Sequence, residues 1–292
     1  MGTGGFFPGA AGARHPWTVP GVLGIGSQVS PNTLDPLLAA NTTENMIDRL
    51  IFDVLISTDA SGRRDVPMLA ATVPTLENGG ISRDGLTLTY YSRNVRWSDG
   101  VPFTSKDVKF SWSAILNPHN NVISQTGYSL VRSVDTPDPW TVVFHMRKKF
   151  SPAIDTLFAE SDSPYNVVPE HILGKLTDIN NVAFNSASVG TGPFLFKEWA
   201  RGDHLTLVAN PHYYLGAPKL KEIIIKFIPD ENTELSALRT HDLKALPGVR
   251  LVLQDRNEYE RIQINTLHPP LDDVRVRQAI AYALNLSASS PT

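Results

Sequence analysis

The 292-residue sequence contains no cysteine. That absence excludes disulfides, thiolate zinc sites, thiol catalysis and a lipidated N-terminal cysteine, and it leaves the redox compartment open. Lysine and arginine number 26 against 29 acidic residues, with no long basic run. A net charge of −3 therefore leaves a nucleic-acid role without an electrostatic footprint. No apolar stretch approaches the ~20 residues needed to span a bilayer. The opening MGTGGFFPGAAGARHPWTVPG begins without Lys or Arg, and its apolar stretches are too short and Gly-broken for an export-signal core. Catalytic signatures are missing too: there is no GxSxG elbow, no P-loop and no HExxH. Gly24-Ile25-Gly26 and Gly190-Thr191-Gly192 lack the third glycine of a dinucleotide fingerprint. The eight histidines (His15, His119, His145, His171, His204, His212, His241 and His268) are scattered without helical i,i+4 partners, so no metal or other cofactor is expected.

What is present is a globular composition, 41% hydrophobic and 19% charged, of a length that suits about two domains. Residues 1–20 are Gly- and Pro-rich and read as a disordered leader. VLGIGS, from Val22 to Ser27, reads as a first strand, followed by the irregular loop PNTLDPLLAA. Asn41 with Glu44 starts a helix whose apolar stripe runs through Met46, Ile47, Leu50, Ile51, Val54 and Leu55. Thr58 to Gly62 is a turn. LTLTYY, from Leu86 to Tyr91, alternates as a half-buried strand does. Ser98-Asp99-Gly100 is turn chemistry, and Thr104 with Asp107 resembles a capping box flanked by the staple pair Phe103 and Val108. Trp97 to Trp112 is thus a tight corner into a capped helix and needs no ligand to explain it.

Further on, TPDPWTVVFHM is a turn entering a strand and SPAIDTLFAE a short helix. GTGPFLFKEW, DHLTLVAN and KEIIIKFIPD are three successive strands, the first two joined at Ala200-Arg201-Gly202 as a hairpin. Ile223 to Ile225 form a continuous apolar run, as in a strand covered on both faces. A helix over about 232–246, a strand from Tyr259 to Thr266 and a helix in DDVRVRQAIAYAL complete an α/β order with a mixed sheet. Two places invite chemistry. Asn41 and Thr42 stand at a helix N-terminus, where free N–H groups and the dipole suit a carboxylate or other electronegative group. Glu160 and Asp162 form the carboxylate pair best suited to hydrolysis, in a polar loop where solvated acids are the norm.

Five segments, TLDPLLAANTTENMIDRLIFDVLISTD, RWSDGVPFTSKDVKFSW, VGTGPFLFKEW, LTLVANPHYY and PPLDDVRVRQAIAYALN, occur in the order and spacing of the extracellular solute-binding proteins of family 5. Over residues 22–285 the chain resembles these peptide- and nickel-binding receptors of ABC importers. The resemblance implies a periplasmic-binding-protein fold of the second type, present as its first lobe, a mixed sheet with an inserted β-rich subdomain, with the second lobe missing. The implied division is a leader at 1–21, a main subdomain at 22–57 plus 187–285, the insert at 58–186, and a tail at 286–292. The implied activity is capture without chemistry of a peptide or other small solute, nickel complexes and oligosaccharides among them, for delivery to a membrane permease. Ala40, Asn41 and Thr42, then Ser124, Gln125 and Tyr128, and finally Asn265 and Thr266 are the ligand-contacting positions it implies.

Departures from the family pattern carry expectations of their own. Family members run longer, and in ALRTHDLKALPG the residue Thr240 passes almost directly into His241-Asp242-Leu243, as if a strand were deleted. The expectations are a truncated form impaired in ligand capture, self-associating through an exposed cleft face, or an inactive fragment, placed outside the cytoplasm by the resemblance alone.

Overall fold

The computed structural model of the chain describes residues 19–59, 65–160 and 165–228. Its first elements are strand β1 (Val22–Ser27), helix α1 (Thr42–Ile51) and the short strands β2 (Ile56–Ser57) and β3 (Val66–Pro67). Then come β4 (Thr87–Tyr91), α2 (Ser105–Leu116), β5 (Val131–Asp138), β6 (Thr141–Met146) and the single turns α3 (Ala153–Thr156) and α4 (Glu170–Leu173). The last are β7 (Phe194–Ala200), β8 (His204–Ala209) and β9 (Glu222–Phe227).

A four-stranded mixed sheet has the order β1-β9-β8-β7. β1 lies parallel to β9, with Val22 opposite Glu222, while β8 pairs antiparallel with both β9 and β7. The β7–β8 turn contains Gly202 at φ +75°, a conformation glycine reaches without a Cβ penalty. A second, three-stranded antiparallel sheet has the order β4-β6-β5. Its strands lie between the two halves of the first sheet in sequence.

The α1 stripe buries Ile47 and Ile51 against Leu34 and Leu37 of the preceding loop. Each such side chain contributes on the order of 1.5–3 kcal/mol when removed from water. The helix stops at Ile51, short of the Val54 and Leu55 that its stripe includes. The Ile51 carbonyl accepts from Gly192 N (2.8 Å), and Val54 and Leu55 turn extended to bond Leu69, Met68 and Phe158. Here tertiary pairing overrides helical periodicity.

The corner at Trp97 is structural. Trp97 is buried against Phe103, with ring centroids 5.8 Å apart. Gly100, at φ +91°, donates to Trp97 O, and Val101 N donates to the Asp99 carboxylate at 3.0 Å. The Asp107 carboxylate accepts from Thr104 N at 2.7 Å, the reciprocal arm of the expected box.

Three expectations need correction. β5 is a full strand that the sequence reading left out, because register shifts after Val131 and Asp135 break its alternation. The helix of SPAIDTLFAE shrinks to one turn. β9 is fully covered on one face only: Ile223, Ile225 and Phe227 are buried, Ile224 is half-buried and Lys226 is exposed. The elements expected beyond residue 228, and residues 1–18 of the leader, lie outside the described residues.

Candidate functional site

The loop between β1 and α1 is built from the inside. Thr33 Oγ1 accepts from Asp35 N (3.0 Å) and Asp35 Oδ1 from Leu37 N (3.0 Å), so the side chains themselves turn the backbone. Glu44 ties the loop down: its carboxylate accepts from Asn32 N and Ala40 N, both at 2.6 Å, and from Asn41 N at 3.2 Å. Asn41 Oδ1 in turn accepts from Glu44 N at 3.0 Å, completing a capping box. Asn41 therefore caps, and its side-chain oxygen is already engaged. Ala40 is exposed, and Asn41 is half-buried.

The carboxylates beneath this loop are buried without a cation among the described hydrogen bonds. Burial pushes Asp35 up to about 7. Asp48 is raised too, by burial first and then by the charges of Asp35 and Glu44. Among the described residues, Asp35 Oδ2 and both Asp48 oxygens have no hydrogen-bond partner.

The second predicted group follows α2. Ser124 exchanges two backbone bonds with the Tyr165 hydroxyl, at 2.9 Å each, and Gln125 Nε2 donates to Ile115 O at 3.0 Å. Tyr128 is buried; its hydroxyl donates to Thr156 O (3.2 Å) and accepts from Phe158 N (2.9 Å). The Tyr128 ring thus packs in the core, with its polar end committed there. Asn265 and Thr266 lie outside the described residues.

A hollow of about 460 Å³ takes lining residues from both loops, but none of Ala40, Asn41, Thr42, Ser124, Gln125 and Tyr128 is among them. Asn32, Thr33 and Leu38 line one side; Asn121 and the 180–186 segment, with Asn180, Asn181 and Asn185, line the other; Arg201 closes an edge. Asn180 supports the wall, accepting from Asn121 N (2.8 Å) and donating to His119 O (2.8 Å). Arg201 stacks on Trp199 at 3.5 Å and donates to Asn32 O (3.3 Å) and Ser186 Oγ (2.8 Å). Sequence reasoning missed these asparagines, which sit in NPHNN and DINN and read as ordinary turn residues. Asn121 stands just before the predicted Ser124, and that adjacency was the available signal.

Glu160, half of the expected hydrolytic pair, is tied into structure. It accepts from Ser57 Oγ and from Thr58 N (3.3 Å) and pairs with Arg49 Nε at 3.5 Å. Asp162 lies outside the described residues. Among the described residues no group of three histidines or acids could hold a metal, and no helix is long and apolar enough to cross a membrane.

The glycines of Gly190-Thr191-Gly192 have a packing reason. A Cβ on Gly190 would stand 1.9 Å from the Ile51 carbonyl oxygen, and one on Gly192 2.6 Å from the Ile51 carbonyl carbon. Gly190 O also accepts from Ser98 N at 2.9 Å, so this segment joins the end of α1 to the Trp97 corner.

With this geometry in place, comparisons with known proteins become informative. The profile of the bacterial extracellular solute-binding proteins, family 5, matches residues 66–289. Protein XP55 of Streptomyces lividans is 34% identical over 223 residues, 76% of this chain and 38% of its own length. The oligopeptide-binding protein AppA of Bacillus subtilis is 27% identical over 286 residues, 91% of this chain and 50% of its own. The structure of AppA with a nonapeptide superposes with a TM-score of 0.68 at 26% identity, over 77% of this chain and 42% of AppA. The ABC transporter substrate-binding protein CtaP of Listeria monocytogenes gives a TM-score of 0.66 at 25% identity, over 76% and 43%. The chain spans about half the length, or less, of these relatives.

Proposed function

The chain belongs to the bacterial extracellular solute-binding proteins of family 5, and from that premise we propose that it captures peptide for an ABC importer outside the cytoplasm. The observation that carries this reading is the asparagine-lined hollow between the loop before α1 and the loop after α2. Asparagine amides both donate and accept, as a peptide backbone does, so they can satisfy main-chain groups whatever the side chains. Arg201 at the edge brings a positive charge that suits a peptide carboxylate, while its Nη atoms hold Asn32 and Ser186 in place. The names of AppA and of its nonapeptide complex favour the same cargo.

None of Ala40, Asn41, Thr42, Ser124, Gln125 and Tyr128 lines the hollow; in this reading their part is to hold the two loops that carry its lining. The division into a main subdomain and an inserted one at 58–186 belongs to the same proposal. Most of a small ligand's surface must be enclosed for tight binding. We therefore expect these 292 residues, taken alone, to hold peptide roughly 100-fold more weakly than a full-length relative, about 2.7 kcal/mol.

The test is titration calorimetry of the chain with a mixed tri- to nonapeptide library. The double variant Asn121→Ala and Asn181→Ala should weaken binding about tenfold or more, roughly 1.4 kcal/mol. Unchanged affinity in that variant, or no peptide binding even in a full-length relative, refutes the reading.

A further inference from the structure

A second cavity, of about 240 Å³, lies beyond the C-terminal end of α1 and takes no part in the peptide reading. Its polar lining holds three donors, Arg49, Ser57 and Tyr213, each engaged with Glu160 or Asp53, and the acceptors Asp53, Asn166 and Glu160. Asp53 is 6% exposed; its Oδ1 accepts from the Tyr213 hydroxyl at 3.3 Å, and its Oδ2 makes no well-formed hydrogen bond among the described residues, although the Tyr214 hydroxyl lies near enough to act on the carboxyl. Asn166 is 1% exposed, and its Oδ1 has no partner among the described residues. Glu160 lines the same space with its charge balanced by Arg49. The remaining wall is apolar or aromatic, from Phe52, Val54, Met68 and Pro193.

Buried acceptors left unpaired each cost on the order of 1–3 kcal/mol, so a ligand that supplies donors is strongly favoured. Asp53, Asn166 and Glu160 all line this space, and the described ion pairs engage Glu160 with Arg49 but leave Asp53 out. The dipole of α1 ends at this point and favours a cation. The described residues contain no three-ligand metal group, and the wall around the acceptors is greasy. An ammonium head has three donors and one charge, and an alkyl stem suits the apolar wall.

We propose that this pocket is a binding site for a primary alkylammonium group, with Asp53 as its counter-ion and the oxygens of Asn166 and Glu160 as its remaining acceptors. Phe52 and the Tyr213 ring pack the stem. In the empty pocket, burial pushes Asp53 up to about 7 against the lowering hydroxyls of Tyr214 and Tyr213, so an arriving cation displaces a proton from it.

The experiment is calorimetry of the 292-residue chain with n-butylammonium chloride, run at about pH 6, below the raised Asp53 value, in two buffers of different ionisation enthalpy. Expected are saturable binding, release of close to one proton, and loss of at least tenfold in affinity with Asp53→Asn. Tetramethylammonium, which has charge but no donors, should not compete. The Asn121→Ala and Asn181→Ala variant should bind butylammonium normally, which separates this site from the peptide reading. If Asp53→Asn fails to fold, proton release by the wild-type chain still decides the matter. Binding without proton release, equal competition by tetramethylammonium or sodium, or no binding at all overturns the proposal.

Discussion

Replacing Asp35 by asparagine should make the protein more resistant to rising pH. Asp35 is fully buried, carries one unpartnered oxygen and stands beside the buried Asp48 and Glu44. Burial raises it from 3.8 to about 7. The unfolded chain gives up this proton above about pH 4, while the folded protein holds it to about pH 7. Folding is therefore penalised progressively across that window, and the penalty levels off above it. Each pH unit is worth about 1.4 kcal/mol, and about three units give a ceiling near 4 kcal/mol. Shared titration with Asp48 brings the expected value to about 2–4 kcal/mol. The asparagine side chain of the variant cannot ionise, and its amide oxygen can still accept from Leu37 N. Its buried NH₂ adds an offset that does not depend on pH, so the slope is the test rather than the absolute stability. Urea unfolding of both proteins at about pH 4, 5, 6, 7 and 8 should show the variant gaining on the wild type from about pH 4 to 7 and holding its gain at about pH 8. A difference that stays flat across the series, or grows toward acid, refutes the reasoning.

Gly190→Ala should lower stability by about 3 kcal/mol or more, because the new methyl meets the backbone carbonyl of Ile51 and neither side can yield. Gly24→Ala, whose Cβ meets nothing within 4 Å, is the control and should stay within about 0.5 kcal/mol in the same thermal melts. Asp107→Ala should cost about 1–3 kcal/mol, since it removes a helix cap and leaves the half-buried amide of Glu170 (2.9 Å) without its partner. Hydrogen exchange should speed up at the Thr104 and Glu170 amides, and exchange at Thr104 alone would contradict the double role.

The features legible in the sequence are those set by neighbours along the chain. Asn41 with Glu44 and Thr104 with Asp107 act across three residues, so residue type and spacing suffice to place α1 and α2. β1, β8 and β9 show clear apolar runs, and their bounds match closely. β5 escaped because register shifts break the period on which such reading depends. The end of α1 escaped because it is decided by Gly192, 141 residues away, and no local signal marks it. The hollow was not legible: none of the positions that the resemblance implied lines it, and Arg201 reaches Asn32 across 169 residues. Asp53 gave no signal, since an acid next to a helical stripe reads as solvated until the fold encloses it.

The parallel pairing of Val22 with Glu222 places the first strand's partner 200 residues downstream. On a ribosome adding about 5–20 residues per second, β1 and the buried loop behind it wait roughly 10–40 s for β9 to emerge. The β4-β6-β5 sheet, made of strands closer together in sequence, is complete well before then. Birth order and assembly order are therefore reversed: the first strand synthesised is among the last to be secured. Until then the unpaired backbone edge of β1, with the half-buried Ile25 beside it, is open to any passing strand edge.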